Sequence, residues 1–180
     1  MTKKLNLGCG KDIKQNYVNL DVVKLPGVDI VHNLEKYPYP FKDNEFDEVY
    51  CHHVLEHMTS IVKPLEELWR ITRKGGKLVI EVPISPGIGA FVDPTHKSFY
   101  TFGTFDYFTE NNMLNYYSKA RFKILKRRII FSTNLYPLKW FYNLATKIVN
   151  SDINLQKAYF FNFSFIFPAY LIDAELEVVK

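Results

Sequence analysis

Cysteine is scarce. Cys9 and Cys51 are the only two in 180 residues, too few for a disulfide framework. Long apolar runs are missing too. The longest, FFNFSFIFPAYLI at 160–172, is interrupted by Asn162, Ser164 and Pro168, whereas a membrane span needs about 20 predominantly apolar residues. No charge of one sign dominates: 23 Lys and Arg against 19 Asp and Glu leave a net charge of +4. That surplus alone does not argue for nucleic acid. Repeats and low-complexity tracts are absent, and Leu5 already falls in a strand pattern, so no leader segment is expected. The expectation is one cytoplasmic domain over 1–180, with no nucleic-acid partner and no membrane span.

What is present is a run of short strands. KKLNLGC predicts a strand at 3–8, followed by YVNLDVV (17–23), VDIVHNL (28–34) and FDEVYCHHV (46–54). Apolar spacing at Ile61, Leu65, Leu68, Trp69 and Thr72 then predicts a helix near 60–73. Ser60 is placed to cap it, Pro64 is tolerable in its first turn, and Gly75 and Gly76 are expected to end it. KLVIEVP (77–83) is a fifth strand. A second helix is expected within 101–120, a sixth strand at 121–131 and a seventh at 174–180. Between the last two strands lies an aromatic-rich insertion, 132–173, with one expected helix, YPLKWFYNLATKIV. Strands alternating with crossovers give an α/β class. The expected architecture is a Rossmann-like, seven-stranded, mostly parallel sheet with an antiparallel last strand and a reduced number of early helices.

The stretch LNLGCGKDIKQNYVNLD (5–21) sets a glycine turn where ligands bind in open parallel sheets, beyond the strands' carboxyl ends. Gly8 and Gly10 permit close backbone approach, and Asp21 ends the second strand, where a carboxylate can accept both hydroxyls of a ribose. The pair alone also fits an ordinary strand and turn. A dinucleotide fingerprint fails: Ile13 occupies the third glycine's place, and Asp21 comes 11 residues after Gly10 rather than about 20.

Taken with VDIVHNLEKYPYPFKDNEFDEVYCHHVLEH and PLEELWRITRKGGKLVIEVP, that stretch resembles class I S-adenosylmethionine-dependent methyltransferases over about residues 3–110. The likeness is greatest to the compact branch similar to ubiquinone and menaquinone methyltransferases. The resemblance implies S-adenosyl-L-methionine as cofactor. Gly8, Cys9 and Gly10 would approach its amino-acid and ribose portion, with Asn6 where the pattern usually has an acid. Asp21 would hold the ribose, Asn33 and Leu34 would flank the adenine, and His52 and His53 would line the methionine end. For catalysis His96, in DPTHKSFYTF after the fifth strand, is the leading base, and His53 stands beside it. No metal-ligand set is expected. HVLEH matches an inverted zinc-protease pattern, but at a strand end rather than on a helix.

The expected activity is methyl transfer to a small-molecule acceptor, with oxygen or nitrogen favoured over carbon. A non-catalytic methyltransferase-like interaction protein and an RNA methyltransferase remain the alternatives. The first three crossovers are too short for the usual helices, so one sheet face is expected bare. The stripe Trp140, Phe141, Leu144 and Ile148 is the expected cover, and a homodimer through that face is the alternative.

Overall fold

In the computed structural model, residues 2–131 and 137–180 are described. Seven strands form one sheet: β1 (Lys4–Leu7), β2 (Val18–Asp21), β3 (Ile30–Val31), β4 (Phe46–His52), β5 (Thr72–Pro83), β6 (Arg121–Ile130) and β7 (Leu171–Val179). Their order is β3-β2-β1-β4-β5-β7-β6. β1 to β5 pair in parallel, and β7 runs antiparallel to both neighbours. This is the expected mixed sheet. The order reverses between β1 and β4, so the turns after these two strands flank one crevice.

β4, β5 and β7 alternate. On β4, Phe46, Val49 and Cys51 are buried while Glu48, Tyr50 and His52 are only half-buried. β5 and β7 continue the pattern with Leu78, Ile80 and Val82, then Ile172, Ala174, Leu176 and Val178, on the buried side. Helix α1 (Val62–Ile71) packs there through Leu65, Leu68 and Ile71, as do Phe105 and Phe108 of a 3-10 turn. Trp69 pins α1 to the end of β7 by donating from Nε1 to the Val179 carbonyl at 2.7 Å.

The other face carries Lys4, Asn6, Glu48, Tyr50, His52, Lys77, Glu81, Asp173, Glu175 and Glu177. It was expected to need a cover because parallel sheets are normally buried on both sides. Instead it is polar, with ion pairs between registered neighbours such as Lys4–Glu48 at 3.2 Å and Lys126–Glu175 at 3.0 Å. Side-chain hydrogen bonds stand in for the missing helices. In the first crossover, Asn6 Nδ2 donates to the Asp12 carbonyl and to Asn19 Oδ1, and Asn19 Oδ1 also accepts from Lys14 N. Lys14 then lies 3.9 Å from the Tyr50 ring centroid. In the third, Arg70 donates to the carbonyls of Tyr39 and Phe41, and Glu67 accepts from Tyr39 N.

Several local expectations are corrected. Gly75 and Gly76 do not end α1. Thr72 turns extended and β5 starts at once, with the glycines absorbing a register shift against β4. The helix expected within 101–120 is two 3-10 turns, Thr104–Phe108 and Asn115–Tyr117. Its Thr, Phe, Tyr and Asn residues are weak helix formers. Among its described residues the insertion holds two helices rather than one: α2 (Lys139–Val149) and α3 (Ile153–Asn162). The start of the expected one, at Tyr136, lies outside the described residues.

The stripe Trp140, Phe141, Leu144 and Ile148 is exposed and covers no sheet face. Tyr142, Ala145 and Val149 face the core instead. Asn150 completes the β6 edge, donating to the Ile129 carbonyl and accepting from Ile129 N. No helix among the described residues is long and apolar enough to cross a membrane.

Candidate active site

The glycine turn after β1 is shaped from both sides. Gly8 has φ +64° and Gly10 φ +49°, a region costly for residues with a Cβ. A Cβ on Gly8 would also sit 2.4 Å from Val54 Cγ2. Asp21, at the end of β2, accepts from Gly10 N at 2.8 Å and from Val23 N at 2.9 Å. Each carboxylate oxygen is fixed by one backbone donor and keeps a lone pair for a ligand.

A cavity of about 310 Å³ opens here, lined by Gly8, Asp21, Asn33, Leu34 and His53, together with Val22, Glu35, Val54, His57, Met58 and Lys97. Asp21 offers acceptors, while Val22, Leu34, Val54 and Met58 offer apolar walls. That combination suits an adenosine, whose ribose needs acceptors and whose base needs flat apolar contact. Asn33 holds its own turn through Oδ1, which accepts from Glu35 N at 2.9 Å. Glu35 in turn accepts from the Thr59 amide and hydroxyl, and these bonds hold its carboxyl below the usual range.

Other expected residues stand behind this wall. Asn6 has its amide hydrogens engaged within the crossover. Gly10 N faces Asp21. Cys9 is buried, which pushes its thiol up. His52 stacks on Tyr50 and shares a 2.6 Å hydrogen bond with the Tyr50 hydroxyl; burial lowers its pKa. It lies on the polar face, and the cavity lining does not include it.

His53 takes the turn after β4 at φ +54°. Its Nδ1 lies 3.2 Å from Glu56 Oε1 and its Nε2 3.1 Å from Glu81 Oε1. The hydrogen bond to Glu56, then that to Glu81, raises its pKa to about 9. The same bond lowers the Glu81 carboxyl. His53 is therefore a cation at neutral pH.

A second cavity of about 230 Å³ adjoins the first, sharing His53 and His57 with it; Glu56, Gly89, Val92, Asp93, His96 and Tyr170 complete much of its wall. His96 Nδ1 is 3.1 Å from the Ala90 carbonyl. A carbonyl only accepts, so Nδ1 donates to it, and Nε2 lies 3.9 Å from Asp93 Oδ2. Tyr100 and Ser98 hold the 93–100 loop against the 53–58 turn through the carbonyls of Leu55 and Met58. One ligand atom each from Glu56, His57 and His96 lies within 4.8 Å of the others, and Glu56 Oε2 is buried without a partner. These three could hold a cation.

Sequence reasoning missed Val22, Glu35, Met58, Lys97 and Glu81. Val22 could be found from its place directly after the acid. Glu35, Lys97 and Glu81 carry no local signal, because tertiary packing alone brings them in.

The sheet order, the antiparallel β7 and a glycine turn facing an acid at the switch point define the class I S-adenosylmethionine-dependent methyltransferase fold. Residues 5–80 match the family model described as a methyltransferase domain. The match spans residues 5–80 of the 180, and it is to a class whose cofactor is S-adenosyl-L-methionine. Solved structures with the same fold include a SAM-dependent methyltransferase from Archaeoglobus fulgidus (TM-score 0.62, 16% identity, covering 98% of this chain and 86% of that one). A putative methyltransferase from Bacillus halodurans is another (TM-score 0.60, 13% identity, covering 99% and 93%). At such identities the likeness concerns the fold. A curated relative, an uncharacterized protein of Methanocaldococcus jannaschii, is 51% identical over 43 residues, which are 24% of this chain and 19% of that protein's length.

Proposed function

We propose that the chain transfers a methyl group from S-adenosyl-L-methionine to an oxygen or nitrogen of a small-molecule acceptor. The observation that carries this reading is the pair of adjoining cavities with His53 and His57 in their common wall. The first takes the cofactor and the second the acceptor. When bound, the cofactor supplies an electrophilic methyl on a sulfonium. The protein's task is then alignment and exclusion of water.

Within this reading Asp21 receives the ribose hydroxyls, and Asn33, Leu34 and Val22 surround the adenine. The roles expected of His53 and His96 separate. His53, doubly bonded to carboxylates and charged, makes a poor base; its two ring N–H groups hold Glu56 and Glu81 in place. His96 Nε2 accepts the acceptor's proton as the new bond to carbon forms.

The test uses S-adenosyl-L-methionine with a labelled methyl group, screened against hydroxyl- and amine-bearing small molecules. His96→Gln is expected to lower kcat by about 100-fold, the usual scale of general-base loss, with binding of S-adenosylhomocysteine unchanged. Equal turnover in wild type and variant contradicts the assignment of His96.

A further inference from the structure

Apart from Tyr170, the segment from 137 to 170 plays no part in the site above, and it is unlike the rest of the surface. Ten of its 34 residues are aromatic, and it holds Lys139, Lys147 and Lys157 against one carboxylate, Asp152. That carboxylate is occupied capping α3, accepting from Asn154 N at 2.7 Å. Along α2 the exposed residues Trp140, Phe141, Leu144 and Ile148 share one stripe, and Lys139 and Lys147 sit beside its two ends. The turn after α3 exposes Phe165 (87%) and Ile166 (82%). Phe167 ties that turn to α2, with its ring stacked 5.4 Å from Tyr142 and edge-on to Phe141 at 5.4 Å. Stripe and turn are thus tied together, and exposed Phe161 at the end of α3 lines an apolar cavity of about 670 Å³ between α3, the start of α1 and residues 101–108.

Soluble monomers rarely expose so large an apolar surface without a use for it. We infer that this face docks on the surface of an anionic lipid bilayer. Aromatic and aliphatic side chains flanked by lysines are what such an interface recognises: rings enter the headgroup region and ammonium groups meet lipid phosphates. Charge argues against a second copy as the occupant. In a two-fold dimer the same patch meets itself, which would bring two sets of three lysines together around one carboxylate each. The inference is independent of the methyl-transfer reading, since it uses none of the site residues.

The experiment is co-sedimentation of the full chain with vesicles of phosphatidylcholine alone and of phosphatidylcholine mixed with phosphatidylglycerol. Sedimentation velocity without lipid and Trp emission are followed in parallel. The expected result is binding to the anionic vesicles with a blue shift in emission, at least about tenfold weaker on phosphatidylcholine or at high salt. Phe165→Ser with Ile166→Ser is expected to weaken it about tenfold, and Lys139→Glu with Lys147→Glu by a similar factor. All four positions are exposed, so folding should be untouched, which circular dichroism checks. Absence of binding to either vesicle overturns the inference. So does equal binding by both double variants, or a concentration-dependent dimer that Phe165→Ser with Ile166→Ser abolishes while lipid binding is nil.

Discussion

The two faces of the sheet solve one problem in opposite ways. The face under α1 is buried by aliphatic and aromatic side chains, among them Leu78, Ile80, Phe105 and Phe122. The other, where early helices are reduced to loops, is a lattice of charges and ring contacts. A parallel sheet normally cannot leave a face open because its strands are apolar on both sides. Here strands such as FDEVYCH and KLVIEVP alternate instead, so the open face has little apolar area to hide.

The sharpest way to break this comparison is substitution in neighbouring β5 positions. Ile80→Ala, on the packed face, is expected to cost about 2–4 kcal/mol through lost burial and a cavity. Val79→Ala, on the open face, should cost less than about 1 kcal/mol. Urea denaturation with both variants checks the pair, and equal costs would mean that both faces are packed.

Next in size is the buried amide that replaces the first crossover helix. Asn19→Ala removes the acceptor shared by Asn6 and Lys14 and should cost about 1–3 kcal/mol. Slower hydrogen exchange in 11–17 than in wild type would be the wrong outcome.

The ion pair at the ligand end predicts a pH dependence. The folded-state pKa of His53 is raised from 6.5 to about 9. Its contribution to stability is therefore fully present below about 6.5 and lost as pH rises through about 9. Thermal denaturation across this window should show the slope, and Glu81→Gln should flatten it. The smallest effect belongs to the exposed pair Lys126–Glu175, where Lys126→Ala should change stability by less than about 1 kcal/mol.

Much of this was legible in the chain. The fold class was readable because the glycine turn, the acid and the two later motifs follow one another along the chain. Asp21, Gly8, Asn33 and Leu34 meet in one cavity, as their positions at strand ends imply. The polar face could also have been read, since Glu48, Tyr50 and His52 alternate with Val49 and Cys51, but the short crossovers rather than alternation led to the expectation of a cover. α3 escaped notice because INLQKAYFFN has no polar side, so its apolar residues follow no 3.6-residue stripe; Asp152 was its only signal. Glu81, which after Glu56 raises the pKa of His53, is distant in sequence, and only the pairing of β4 with β5 brings the two together.

The account rests on Asp21 holding a ribose beside the glycine turn. Calorimetric titration of S-adenosylhomocysteine into wild type and Asp21→Ala tests it most directly. Two lost charge-assisted hydrogen bonds predict affinity at least about 100-fold weaker in the variant. Equal affinity in both proteins, or no binding to wild type at millimolar ligand, would contradict it.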